Sequence, residues 1–173
     1  MANPVTTLQV MKDTTEHAVI KLTASFDGST QEANAVRVQA NTLYGALNAN
    51  TNPGLLVDGG SALPYYGLSV YRIWYDCATD GDVELYWHAA TNETIAFLNG
   101  NGEYDAAGNW ISISNSTKGK ASSNGDIGIT TRGMAANSSY TIILELRKDN
   151  AHYQRGQLTE PGAFNYPPYG VRP

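Results

Sequence analysis

The fold of this chain is decided by Leu68-Ser-Val-Tyr-Arg-Ile-Trp-Tyr-Asp76 and, after a short polar segment, by Val83-Glu-Leu-Tyr-Trp-His88. The second run alternates apolar and polar residues, which is the period of a half-buried β-strand. The first run is apolar or aromatic on both sides, which predicts a central strand covered on each face. The Asp80-Gly81 pair between them is typical of a tight turn. We therefore predict two aromatic-rich strands joined as a hairpin.

The same period of two recurs along the chain. Residues 31–47 are rich in alanine and allow a helix, but their Val36-Arg-Val38 alternation favours a strand. Glycine and asparagine turn signals separate the runs. The pattern predicts an all-β fold, an antiparallel β-sandwich or jelly roll of about nine strands. The other alternating apolar sets are Ala18/Ile20/Leu22, Ile95/Phe97, Ile111/Ile113, Ile127/Ile129 and Tyr140/Ile142/Leu144/Leu146.

Two segments do not fit the alternating pattern. Residues 48–63 form a long polar, glycine-rich stretch, and loops of that length are usually functional or mobile. Residues 150–173 contain four prolines and four aromatic residues without periodicity. We divide the chain into a β-sandwich domain, residues 1–149, and an extended, Pro- and Tyr-rich C-terminal arm, residues 150–173.

Proline keeps this arm extended, and its aromatic side chains favour burial. We expect the arm to pack on its own domain or on a neighbouring subunit, with a partly disordered tail as the alternative. The residues predicted to bind a partner are Tyr153, Phe164, Tyr166, Pro167, Pro168 and Tyr169.

Charge and composition exclude several classes of function. The net charge of −5 argues against a nucleic-acid partner, because phosphate binding needs clustered Lys and Arg. The single cysteine, Cys77, allows no intramolecular disulfide. The N-terminus lacks the pattern of a signal peptide, and no apolar run reaches the length of a membrane span. We expect synthesis in the cytoplasm without export or membrane insertion.

The acidic residues do not form a catalytic or metal-binding motif. Asp76, Asp80 and Asp82 surround a glycine, but their spacing differs from the EF-hand loop, and a turn accounts for them. Glu103 and Asp105 could be a glycosidase pair, but two carboxylates in a glycine-rich loop are more often solvated.

The remaining candidate groups are equally isolated. His17, His88 and His152 have no metal-ligand spacing. Cys77 has no partner motif, so a structural thiol is favoured. No nucleophile elbow or phosphate-binding loop is present in the sequence. We predict no catalytic residue, no metal and no cofactor, and therefore a protein that is not an enzyme.

The surplus of tyrosine and tryptophan indicates a binding surface. Exposed aromatics on a β scaffold stack on sugars or anchor protein interfaces. An assembly of repeated subunits would explain both this surplus and the C-terminal arm. The residues that cannot all lie in one core are Tyr65, Tyr66, Tyr71, Tyr75, Tyr86 and Trp87.

With these residues in view, the chain resembles small structural proteins of tailed bacteriophage particles. Proteins of this group share an Ile-Trp-Tyr strand, a W-x-A-x-T-x segment, a Ser/Asn-Gly-x-Gly turn, and closing G-D-I-x-x-T-T and Y-T-I-x-L-E runs. The matching stretches cover roughly half of the chain. They are residues 68–75, 83–92, 97–102, 125–131 and 139–147.

The resemblance implies a virion structural protein. We favour a capsid decoration, or cement, protein on the outer head surface, bound to the major capsid protein and to copies of itself as a homo-oligomer. Many modest contacts repeated over the lattice would give strength through avidity. A tail, neck or baseplate component is the first alternative. A carbohydrate-binding module for host attachment is the second.

Overall fold

Ten β-strands and one short 3-10 turn make up the described part of the chain. The computed structural model describes residues 4–46, 66–106, 112–117, 120–149 and 153. Every pair of hydrogen-bonded strands in the described residues is antiparallel. The predicted all-β antiparallel fold is therefore confirmed. The elements are β1 (Val5–Asp13), β2 (His17–Asp27), β3 (Ala35–Val38), the 3-10 turn Ala40–Thr42, β4 (Leu68–Cys77), β5 (Asp82–Trp87), β6 (Glu93–Leu98), β7 (Asn101–Asp105), β8 (Ile113–Ser114), β9 (Ile127–Arg132) and β10 (Ala136–Lys148).

The strands form two sheets. The larger sheet has the order β1-β2-β10-β4-β7, with β8 also paired to β4. The smaller sheet has the order β3-β9-β5-β6. The long strand β10 lies between β2 and β4, with Ile142 opposite both Leu22 and Tyr75.

One hydrophobic cluster joins the two sheets. Alternation explains which residues enter it, because successive side chains of a strand point to opposite faces. On β10, Tyr140, Ile142, Leu144 and Leu146 are buried, whereas Thr141 and the other intervening residues are more exposed. The predicted apolar faces of β2, β9 and β10 are therefore confirmed. The cluster also contains Ala18, Ile20 and Leu22 of β2, Val83, Leu85 and Trp87 of β5, and Ile127 and Ile129 of β9.

The predicted hairpin between β4 and β5 is wrong. Strand β4 pairs with β10, β7 and β8, whereas β5 pairs with β6 and β9 in the other sheet. The intervening residues therefore carry the chain from one sheet to the other.

Contacts to the β9–β10 turn explain the Asp80-Gly81 pair at this crossing. The Asp80 carboxylate accepts hydrogen bonds from the backbone N–H of Ala135 and the hydroxyl of Ser138. At Gly81 a β-carbon would lie 2.5 Å from the carbonyl oxygen of Arg132, so only glycine fits. The Asp80-Gly81 pair therefore does form a turn, but this turn connects the two sheets and does not close a hairpin.

The faces of β4 also differ from the prediction. Val70 and Ile73 are buried on its inner face, but Tyr71 and Trp74 are only partly buried and Asp76 is exposed. Strand β4 is thus central within its sheet, with its outer face presenting aromatic side chains.

The remaining predictions are mixed. The strand reading of the alanine-rich segment is confirmed by β3. Strands β1 and β7 were not predicted. Residues 48–63 lie outside the described residues.

Candidate interaction surfaces

Exposed apolar side chains concentrate at one edge of the larger sheet. Within the described residues β1 pairs only with β2, so its other edge has no strand partner. Six large apolar side chains are exposed in this part of the chain, and four of them belong to β1. A fifth, Tyr44, lies beside the end of β1, where its N–H donates to the Asp13 carboxylate at 2.8 Å. The four on β1 are Val5 (69% exposed), Leu8 (45%), Val10 (49%) and Met11 (54%). We call these four residues the β1 strip.

Half of this strip faces the interior side of the sheet. Leu8 lies opposite Leu22, and Val10 lies opposite Ile20. Both partners are buried, and opposite residues share a face. Leu8 and Val10 remain half-exposed at the mouth between the sheets, where they line a groove of about 260 Å³. Its other apolar lining residues are Ile20, Val36, Val38 and Leu43.

A buried lysine fixes the C-terminal end of β1. The Lys148 ammonium group contacts the Asp13 carboxylate and donates to the carbonyl oxygens of Thr14 and Tyr44 at 2.7 and 2.8 Å. Burial lowers the pKa of Lys148, and the Asp13 carboxylate opposes that shift. Because a buried charge is costly without such partners, this network holds β1 to the end of β10.

A second candidate surface lies on the outer face of the larger sheet. The Arg72 Nε donates to Asp105 at 2.8 Å, and its guanidinium carbon lies 5.7 Å from the centroid of the Trp74 ring. Arg147 lies 3.7 Å from the Tyr71 ring centroid. Trp, Tyr and Arg are the residue types that dominate binding energy at protein interfaces.

Beside Trp74 runs an open groove of about 500 Å³. Glu103 lies opposite Trp74 on one side, and Ile143 lies opposite it on the other. The groove combines an aromatic face with carboxylate, amide and hydroxyl groups, which suits a polar partner. The other lining residues are Tyr75, Asp76, Asn101, Gly102 and Thr141.

The structure describes one of the six residues predicted to bind a partner. Tyr153 is 1% exposed and packs on its own domain, 5.7 Å from the Tyr66 ring. Its hydroxyl donates to the Ala40 carbonyl oxygen at 2.9 Å, and its backbone pairs with Ala46. Tyr153 thus belongs to the core of its own domain. The other five, Phe164, Tyr166, Pro167, Pro168 and Tyr169, lie outside the described residues.

Asp105 and Asp80, two of the carboxylates considered as catalytic or metal-binding groups, make structural contacts. Asp105 pairs with Arg72, and both Asp105 and Glu103 lie on β7 rather than in a loop. Hydrogen bonding from Ser138 lowers the pKa of Asp80. Within the described ranges, no group of three His, Cys, Asp or Glu residues could hold a metal ion.

The cysteine and the histidines are not brought together. Cys77 is buried, and burial, with a smaller contribution from the Asp76 charge, raises its thiol pKa to about 12. His17 lies 3.5 Å from Glu145 on the larger sheet, and His88 follows β5 of the smaller sheet. His152 lies outside the described residues.

Sequence reasoning missed the β1 strip. Val5 and Leu8 are three residues apart, which breaks the period of two, and a β-bulge after Val10 breaks it again. A usable signal was present, because residues 5–11 lack charge, proline and glycine.

Comparison with known proteins does not assign the chain to a family. No family model matches it, and no curated protein and no solved structure shows significant similarity. No helix in the described ranges has the length and apolar character needed to cross a membrane.

Proposed function

We propose that this protein is a structural component of a tailed-bacteriophage particle, acting as a capsid decoration (cement) protein on the outer head surface. In this role it binds the major capsid protein through one surface and copies of itself through another, and it stabilises the contacts between capsid subunits. The observation that carries the proposal is the clustering of exposed apolar side chains at β1. A strand edge without a strand partner in the described residues, flanked by exposed apolar side chains, is a site that another chain can cover.

The strand order supports a jelly-roll β-sandwich for residues 1–149. The orders β2-β10-β4-β7 and β3-β9-β5-β6 arise because the chain changes sheets six times, at every connection except β1–β2, β5–β6 and β7–β8. Such alternate crossing is what two Greek keys folded into facing sheets produce, and this architecture recurs in viral capsid and lectin domains. In this assignment β1 and β8 are additions to an eight-stranded jelly roll.

The outer face around Trp74 is the proposed contact with the capsid. It carries Trp74, Tyr71 and Arg72 on one strand, and Arg147 on the next. Its aromatic and mixed-charge surface suits a protein partner, and many weak contacts on a lattice give strong attachment. The acidic net charge of −5 suits a position away from the packaged DNA.

Copy number tests the proposal. Quantitative mass spectrometry of purified particles should find this protein at a level comparable with the major capsid protein. A level far below it would overturn the cement assignment and favour a tail, neck or baseplate position.

Binding to particles that lack the protein tests the surface. Purified protein should raise the temperature at which such particles release DNA. Trp74→Ala should reduce occupancy, whereas Phe97→Ala, which truncates an exposed ring on the smaller sheet, should not. Equal occupancy of both variants would exclude the Trp74 face as the contact.

Carbohydrate binding for host attachment is the second candidate. The Trp74 groove favours it, because an aromatic ring flanked by Asp76, Asn101 and Glu103 resembles the surfaces that stack and hydrogen-bond sugars. Binding of the isolated protein to a glycan array, lost in Trp74→Ala, would establish this function. Absence of glycan binding would remove it.

A further inference from the structure

We propose that β1 pairs antiparallel with β1 of a second copy of this chain, joining two larger sheets into one continuous sheet across a twofold axis. The inference rests on the proposed structural role and names the partner of the β1 strip. Pairing of this kind satisfies the backbone groups of an open edge and buries the side chains beside it.

The edge of β1 is less protected than the other sheet edges. Proteins block edges with charges, proline, bulges or very short strands. Strand β7 carries Glu103 and Asp105. Strand β3 has four residues and a bulge at Arg37. Strand β6 begins with Glu93 and also contains a bulge. By contrast, residues 5–10 of β1 are uncharged and pair regularly with β2, and the bulge follows them.

Self-pairing of β1 has a preferred register. Opposite residues of antiparallel strands share a face, so a twofold pairing places even-numbered residues opposite even-numbered ones. Centred on Leu8, it sets Leu8 opposite its own copy, Val10 opposite Thr6, and Val5 next to Met11. Centred on Thr7, it would set Val5 opposite Gln9 instead. The register centred on Leu8 buries more of the β1 strip and is the one we infer.

Charge favours a second copy over a partner of opposite charge. Two molecules with a net charge of −5 repel each other, but residues 5–11 carry no charge, so the contact joins the parts where repulsion is weakest. An edge built for a basic partner would present carboxylates. In the pairing, Leu8 and Val10 of both copies extend the apolar floor of the two grooves between the sheets.

The size of the contact sets its strength. A ladder over residues 6–10 is only ~17 Å long. Two strands in contact over that length bury much less than the ~800 Å² per partner of a standard stable interface. We therefore expect a weak dimer in free solution, strengthened when neighbouring copies are held on a lattice.

A disulfide across the axis tests the register. Opposite Cα atoms in an antiparallel pair are ~4.5–5.5 Å apart, within the ~4.4–6.8 Å that a disulfide spans. In full-length Leu8→Cys, mild oxidation should give a covalent dimer at least ~10-fold faster than in Phe97→Cys, whose cysteine replaces a side chain that is 63% exposed on the other sheet. Buried Cys77, with its pKa raised to about 12, should not compete. Equal rates for the two variants would overturn the proposal.

Charge substitutions at the same position test the pairing without a covalent bond. Sedimentation of wild-type protein over a concentration series should show a monomer–dimer equilibrium that Phe97→Lys retains. Leu8→Lys and Leu8→Glu should each be monomeric, and their mixture should form dimers, because the two side chains face each other. Circular dichroism establishes that each variant is folded.

Three results would contradict this inference. They are a wild-type monomer at every concentration, a Leu8→Lys dimer as stable as that of the wild type, and slow hydrogen exchange in a monomer at those N–H groups of residues 5–10 that point away from β2. The last result would show that the chain covers its own edge. Absence of a wild-type dimer, together with full occupancy of particles by the wild-type protein, would refute the pairing alone. Dimers without binding to particles would refute the proposed function alone.

Discussion

Replacing Tyr153 measures whether the domain extends beyond residue 149. Its side chain fills a closed position, with the ring against Tyr66 and the hydroxyl bonded to the Ala40 carbonyl oxygen at 2.9 Å. The Lys148 ammonium group lies 5.2 Å from the centroid of the Tyr153 ring. Two substitutions separate the hydroxyl from the ring.

Tyr153→Phe removes only the hydroxyl. A buried acceptor left without its donor costs ~1–3 kcal/mol, but the Ala40 carbonyl also accepts from the N–H of Leu43 at 3.4 Å. We therefore expect the lower end, about 1 kcal/mol, or a fall in Tm of roughly 2–4 °C for a chain of this length. Tyr153→Ala removes a fully buried ring, which costs ~3–5 kcal/mol, part of it from the aromatic pair with Tyr66 at ~0.5–1.5 kcal/mol.

Urea unfolding of the isolated protein, followed by fluorescence and circular dichroism, measures both losses. Tyr44→Phe is the matched control, because that side chain is exposed and its hydroxyl should matter by less than about 0.5 kcal/mol. A double-mutant cycle with Tyr66→Ala isolates the ring contact. An unfolding free energy of Tyr153→Ala within about 0.5 kcal/mol of the wild-type value would refute the reasoning. Residue 153 would then be assigned to the C-terminal arm and not to the domain core.

Three further predictions concern backbone fit, the thiol and acid stability. Gly125→Ala should lower the unfolding free energy by about 3 kcal/mol, because a β-carbon there would overlap a neighbouring carbonyl oxygen at positive φ. Gly100→Ala, also at positive φ but with its nearest atom 3.8 Å away, should cost only about 1 kcal/mol by the same urea measurement. Cys77 should react with a thiol reagent at pH 8 only at the rate of unfolding, since its pKa is raised to about 12; fast labelling of the native protein would contradict this. The pKa of Asp80 is lowered below 3.8, so its contribution to stability is present above that pH and is lost as the pH falls through the folded-state value. Asp80→Asn should therefore lower the urea midpoint at pH 7 and much less in acid, and an equal loss at both pH values would contradict this.

The alternation of β2, β9 and β10 could be predicted because these strands lie inside their sheets with one face in the core. Burial on one side forces apolar residues into every second position. The result is visible at Ile142 and Leu144, which are fully buried, beside the partly buried Ile143. Strand-level patterns of this kind determined the all-β class.

The pairing of the strands could not be predicted from local chemistry. An Asp-Gly pair suits a hairpin and also suits the corner at Gly81, because both need a tight reversal with close backbone approach. Which of the two forms depends on contacts with residues 132–138, far along the chain.

Bulges and edges limited the other predictions. In β6 the register shifts between Ala96 and Thr94, so the bulged Ile95 breaks the alternation and Phe97 is left exposed. At β1 an edge strand is only partly covered, so its sequence does not alternate cleanly. The aromatic composition of residues 150–173 likewise predicted that Tyr153 is buried against a protein surface. It could not indicate whether that surface belongs to the same chain or to a neighbouring subunit.

The position of β10 has a consequence for synthesis. Strand β10 is the central partner of β2, so residues from opposite ends of the described chain form the middle of the larger sheet. Until residues 136–148 have left the ribosome, β2 has only the β1 hairpin as a partner and keeps an open apolar face. Pairing over such a long sequence separation is slow, and unpaired edges in partly made chains promote aggregation. The nascent protein therefore folds late, and until then β2 has an open edge on the side that β10 later covers.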